Sequence, residues 1–101
     1  MNKSSKPWKE LLQQRLAASE EEAIGYLNAC LDDNDPALLL AALRDVAEAR
    51  GGISQLAQQT GLNHENLART LSETGNPTLS SLHYILDALG IQMTFSVKKA
   101  A

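Results

Sequence analysis

Residues 53–71 read ISQLAQQTGLNHENLARTL. Two apolar-periodic runs, Ile53–Thr60 and His64 to about Ser72, are each only about two turns long, and Gly61 separates them. Glycine supplies the positive φ that a tight turn between helices requires. Asn63 stands where the N-cap of the second helix belongs, and the small side chain of Ala57 leaves room for the two helices to cross. Leu56, Leu62, Leu67 and Leu71 are the residues expected to pin the pair to a core. Ala57, then Gly61, then Leu67 is the spacing of a DNA-binding helix-turn-helix. Ala and Gly are common residues, so on spacing alone any helical hairpin satisfies the pattern, and the flanks must decide.

Upstream, Asp35-Pro36 is a helix start: Asp as N-cap and Pro at the first helical position, where its missing N–H costs nothing. The helix it opens runs to about Arg50, with Leu39, Leu43, Val46 and Ala47 inward, and Gly51-Gly52 end it. Before it, Ser19 and Glu22 form a capping-box pattern. They open a helix with Ile24, Leu27 and Leu31 on its apolar face, which runs out in Asp32-Asp33-Asn34. Pro7–Ala18, with Trp8, Leu11, Leu12 and Leu16, reads as a short amphipathic helix. Downstream, Thr74-Gly75-Asn76-Pro77 is a turn and Thr78 caps a helix to Leu89, with Leu79, Leu82, Ile85, Leu86 and Leu89 inward. Gly90 terminates it. Beyond lies a change of period: Ile91, Met93, Phe95 and Val97 alternate with polar residues, which is strand spacing. A lone strand leaves its backbone unpaired, so the expected partner is the same strand of a second copy, and these four residues are the expected dimerisation set.

The chain has 101 residues and a net charge of −3, enough for one compact domain. Residues 1–50 carry six Lys/Arg and nine Asp/Glu, whereas residues 51–101 carry three of each. The acidity therefore lies in the first half, chiefly Glu20, Glu21, Glu22, Asp32, Asp33 and Asp35, and the second half lacks the basic stripe of a strong non-specific DNA binder. Such a stretch is usually a solvated face, but it is also what a basic protein partner would meet. No run approaches the ~18 apolar residues of a membrane span, and MNKSSKPWKE has no apolar stretch like that of a signal peptide. With Cys30 as the single cysteine no intrachain disulfide forms, and the expected compartment is the cytoplasm. His64 and His83 are far apart and complete no metal-ligand spacing with Cys30. His83 reads as a partly buried structural histidine, Cys30 as core and Trp8 as a packing anchor, although an exposed Trp on a first helix would also suit docking to a partner. Nothing resembles a base–orienter pair or a phosphate-cradling loop, so the chain is expected to have no catalytic residues, no metal and no cofactor.

The flanks carry a resemblance. Gly52 through ETGNPTLSSLHYILDALGI resembles the phage-repressor class of helix-turn-helix proteins, in which Asn-Pro and an ALG ending bracket the helix after the recognition helix. More narrowly, NDPALLLAALRDVAEARGGISQLAQQTGLNHENLARTLSETGNPTLSSLHYILDALGIQMTF resembles the addiction-module antidote proteins, the antitoxins of HigBA-type toxin–antitoxin operons. It does so over about residues 24–97, without gaps. The resemblance implies an antitoxin that neutralises a small ribonuclease toxin and represses its own operon. Thr70 departs from the wider class, which has a buried aliphatic there, and Leu71 is the candidate to replace it. Trp8–Ala18 has no match in that pattern.

The expected architecture is all-α: a five-helix lambda-repressor-like helix-turn-helix domain with one short C-terminal dimerisation β-strand. It divides into an N-terminal helical segment, 1–34, and a DNA-binding domain, 35–101. By the motif's geometry the second short helix puts His64, Glu65, Asn66, Arg69 and Thr70 at base edges in the major groove. Asn66 suits adenine and Arg69 guanine, each bidentate, at about 1–3 kcal/mol of discrimination per good pair. Glu65 either accepts from cytosine N4 or repels phosphate. Ser54, Gln55 and the backbone amides of the two short helices would hold phosphates, and Asn63 is first a cap and second a phosphate contact. An ordinary solvated helix face is the other reading of Asn66 and Arg69. The expected partners are operator DNA, a second copy of the chain and a small basic toxin, with no membrane. The alternatives are a helix-turn-helix-shaped module that binds only a protein, and a stand-alone phage-type repressor.

Overall fold

The computed structural model describes residues 5–72 and 74–98; residues 1–4 of the MNKSSKPWKE stretch, residue 73 and residues 99–101 lie outside the described set. Six helices follow one another: α1 (Ser5–Ala18), α2 (Glu20–Leu31), α3 (Pro36–Ala49), α4 (Gly52–Thr60), α5 (His64–Thr70) and α6 (Leu79–Ala88).

The helix starts form where local chemistry puts them. The Ser19 side chain accepts from the Glu22 N–H at 3.2 Å and the Asp35 carboxylate from the Ala37 N–H at 3.1 Å, each satisfying a donor the helix cannot pair internally. Glu20, Glu21 and Glu22 lie in the first turn of α2, where negative charge suits the helix dipole. Helix α3 is the centre of the domain: α1, α2 and α4 all pack against it. That is why its buried face is wider than one stripe, with Leu40, Ala42, Leu43, Val46 and Ala47 all buried. Leu16 of α1, Ala23 and Leu27 of α2, Leu56 of α4, Leu67 of α5, Leu71 beyond it and Ile85 of α6 complete the core.

Two polar contacts tie the first helices down. The Tyr26 hydroxyl donates to Asp45 Oδ2 at 2.7 Å, joining α2 to α3, and Gln13 Nε2 donates to Glu48 Oε1 at 3.2 Å, joining α1 to α3. Burial, and then the bond to Asp45, push the Tyr26 phenol well above its ordinary pKa, so it stays a donor. Cys30 packs half-buried against the core, and burial raises its thiol pKa. The exposed Arg15–Glu22 and Arg44–Glu48 pairs add little.

Three expectations are corrected. Among the described residues there are six helices rather than five: each of the six segments with helical signals forms its own helix, and the N-terminal one packs on the core through Leu12 and Leu16. Residues 91–98 form no strand: they carry no regular secondary structure, so the described residues are all-helical. Alternating apolar residues make a strand only beside a ladder partner, and the single chain offers none. Side chains expected inward also face out, with Leu79 73% and Trp8 66% exposed and His83 exposed as well.

Candidate nucleic-acid interface

Helices α4 and α5 meet through a turn built by three residues. Gly61 sits at φ 75°, left-handed, and its N–H bonds the Ala57 carbonyl at 2.9 Å. Thr60 Oγ1 donates to the Leu56 carbonyl at 2.8 Å and accepts from the Leu62 N–H at 3.1 Å, holding both sides of the bend. Asn63 Oδ1 then accepts from the Asn66 N–H at 3.2 Å, which caps α5. Leu56, Leu67 and Leu71 are buried beneath the pair, while Ala57 and Leu62 are partly buried against the core. Leu71, directly after α5, thus fills the buried place that Thr70 does not, since Thr70 is only half-buried.

This anchoring leaves one polar face outward. Asn63, His64, Glu65, Asn66 and Arg69 are exposed on or beside α5, and Ser54 and Gln55 are exposed in the first turns of α4. Arg69 Nη2 donates to Asn66 Oδ1 at 3.0 Å, so two of the expected base-reading side chains touch each other. Thr70 is half-buried and lines, together with Asn66, a cleft of about 230 Å³ that Leu62, Asn76, Pro77 and Thr78 also border. The far end of α5 is closed by Ser72, whose hydroxyl donates to the Arg69 carbonyl at 2.7 Å. Gly75 lies directly against that end, where any Cβ would run into the Thr70 and Arg69 backbone carbonyls.

Sequence reasoning missed Thr60 and the packing role of Gly75. A Thr immediately before the turn glycine was the available signal for the first. For the second there was none, since a close backbone approach belongs to tertiary structure. Among the described residues no group of three or more His, Cys, Asp or Glu side chains gathers as a metal site.

Residues 10–97 match the family model described as a probable addiction module antidote protein. This chain belongs to that family. The match begins inside α1, so the antidote pattern includes most of the helix that had no counterpart in the sequence reading. An uncharacterized protein of Haemophilus influenzae is 43% identical over 74 residues, 73% of this chain and 75% of the relative. No solved structure matches significantly. Membership in an antidote family implies a toxin as counterpart.

Two further surfaces of the antidote stand out. One is the acidic run of exposed side chains Glu20, Glu21, Glu22, Asp32, Asp33 and Asp35, which brackets α2. The other is the C-terminal segment. Phe95 is 94% and Val97 92% exposed, Met93 is also exposed and Ile91 half-buried. Beside them runs a groove of about 430 Å³ lined by His83, Leu86, Asp87, Ile91, Met93 and Phe95. No described helix is long and apolar enough to cross a membrane.

Proposed function

We propose that this antidote is a HigA-type antitoxin: a cytoplasmic, non-enzymatic helix-turn-helix protein of the phage-repressor class that binds operator DNA as a homodimer, represses its own operon and neutralises a small basic ribonuclease toxin. The observation that carries the DNA half is the outward polar face of α5. Short as it is, that helix is held by Gly61, Thr60 and the Asn63 cap, with its apolar side buried and His64, Glu65, Asn66 and Arg69 exposed together. A helix so presented fits the major groove, with Ser54, Gln55 and Asn63 toward the phosphates and the half-buried Thr70 at the margin of the reading face. The 35–101 portion does the reading, and the acidic side chains around α2 offer a basic toxin charge complementarity.

The motif half carries no net charge, so one protomer neutralises few phosphates and affinity has to come from two half-sites. A second copy covering Ile91, Met93, Phe95 and Val97 supplies the pairing. An apolar segment this exposed gains by burial, and a second copy would bury the same side chains on both protomers. Phe95→Lys therefore yields monomers in light scattering while helical content stays native. A dimer that persists at the same concentration refutes this assignment.

The same low charge favours a second reading, a protein-only module that keeps the helix-turn-helix shape but binds just the toxin. The antitoxin half is tested by expression. The neighbouring reading frame alone should arrest growth, and co-expression of this chain should restore it. Continued arrest in the presence of the folded chain contradicts neutralisation.

A further inference from the structure

The two side chains assigned to separate bases are in contact before any DNA arrives. Asn63 Oδ1 accepts the Asn66 backbone N–H at 3.2 Å, and Asn66 Oδ1 accepts an Arg69 guanidinium N–H at 3.0 Å. Residues 63, 66 and 69 are spaced to share one helix face, so the cap at the turn is linked by two hydrogen bonds to the guanidinium a helix-length away. Among the described residues Arg69 is held by Asn66 rather than by Glu65, one turn before, which would otherwise neutralise it. Arg69 is also the one Lys or Arg between Gly51 and Val97 in the sequence. A reading face with a single cation depends on where that cation points.

We propose that Asn66 is a positioning residue for Arg69, so that the two side chains read DNA as one unit specifying guanine instead of making two independent base contacts. This rests on the DNA-binding role proposed above and refines it. The Asn66 oxygen that a bidentate adenine contact would use is already engaged by Arg69. Among the described residues no other side chain bonds the guanidinium, which has further N–H groups to donate to guanine O6 and N7. Orienting a long side chain beforehand also lowers the ordering cost of binding, which matters most where few charges contribute.

The test is selection of preferred duplexes from a randomised pool by the full-length chain. The wild type should enrich one guanine per half-site, and Arg69→Ala should lose that preference. Asn66→Ala should weaken preference for the same guanine by roughly three- to tenfold, a common scale of coupling between contacting side chains. Asn66→Asp keeps the acceptor oxygen, so it should retain the guanine preference even though its added charge lowers overall affinity. The double variant Asn66→Ala/Arg69→Ala should lose no more than Arg69→Ala alone. The proposal is overturned if Asn66→Ala erases a separate adenine preference and leaves the guanine untouched, or if Asn66→Asp loses the guanine as fully as Asn66→Ala. A wild-type pool without any enriched sequence has a different meaning: it removes the DNA-binding role, and this inference with it. All variants change exposed side chains, so native circular dichroism separates folding from reading.

Discussion

Leu43→Ala lowers the free energy of unfolding by about 2–5 kcal/mol, the cost of emptying a fully buried leucine site. Leu43 is 1% exposed on the helix against which α1, α2 and α4 all pack, so the void would open inside the core with little freedom to close. For a domain of this size that loss is a large fraction of the typical total of about 5–15 kcal/mol, and partial unfolding at growth temperature is the expected phenotype. Leu79→Ala is the control. Both leucines lie on faces that periodicity marks as apolar, yet Leu79 faces solvent, and a substitution there should change stability by no more than about 0.5 kcal/mol. Urea denaturation followed by circular dichroism measures both. Equal losses would mean that the first turn of α6 is covered and the core is drawn wrongly.

That contrast shows what the sequence can and cannot carry. Helix starts at Ser19, Asp35, Asn63 and Thr78 were legible because a cap is a local event: the side chain and the N–H it accepts are two or three residues apart. The left-handed turn at Gly61 was legible for the same reason. Periodicity, in contrast, marks which face of a helix is apolar and not how much of its length a neighbour covers. Leu82, Ile85, Leu86 and Leu89 pack inward along α6 while Leu79, just after the cap, does not. Trp8 is no anchor for a similar reason, since among the described side chains of α1 the core takes Leu12 and Leu16. The Ile91–Val97 alternation predicts a strand, but strand formation is a property of two segments, and the described residues offer no second one. At the candidate interface, exposure of the α5 face followed from burying Leu67 and Leu71. The Asn66–Arg69 contact was also within reach, because a spacing of three on a helix brings side chains together.

Arg69→Ala is expected to remove much of the discrimination between operator and random DNA. One bidentate arginine–guanine contact is worth about 1–3 kcal/mol, and the proposed two-fold dimer would lose it twice, about 2–6 kcal/mol. Specific binding of this kind exceeds non-specific binding by only about 4–10 kcal/mol, so much of the margin disappears. The effect is amplified here because residues 51–97 contain no other Lys or Arg. Stability should be unaffected, since Arg69 is exposed and its hydrogen bond to Asn66 lies on the surface. Competition binding with labelled operator against unlabelled random duplex reads the change directly. Retained discrimination in Arg69→Ala would move base reading elsewhere on the molecule.

The most direct measurement is titration of the full-length chain onto the DNA just upstream of its own gene and onto a scrambled duplex of equal length, at about 50 mM and about 200 mM salt, where phosphate contacts make affinity steeply salt-dependent. The proposed role predicts saturable binding that weakens with salt and exceeds the scrambled duplex by roughly a thousandfold or more. Equal affinity for the two duplexes, or no binding to either, would contradict it and leave an antidote that acts through its protein partner alone.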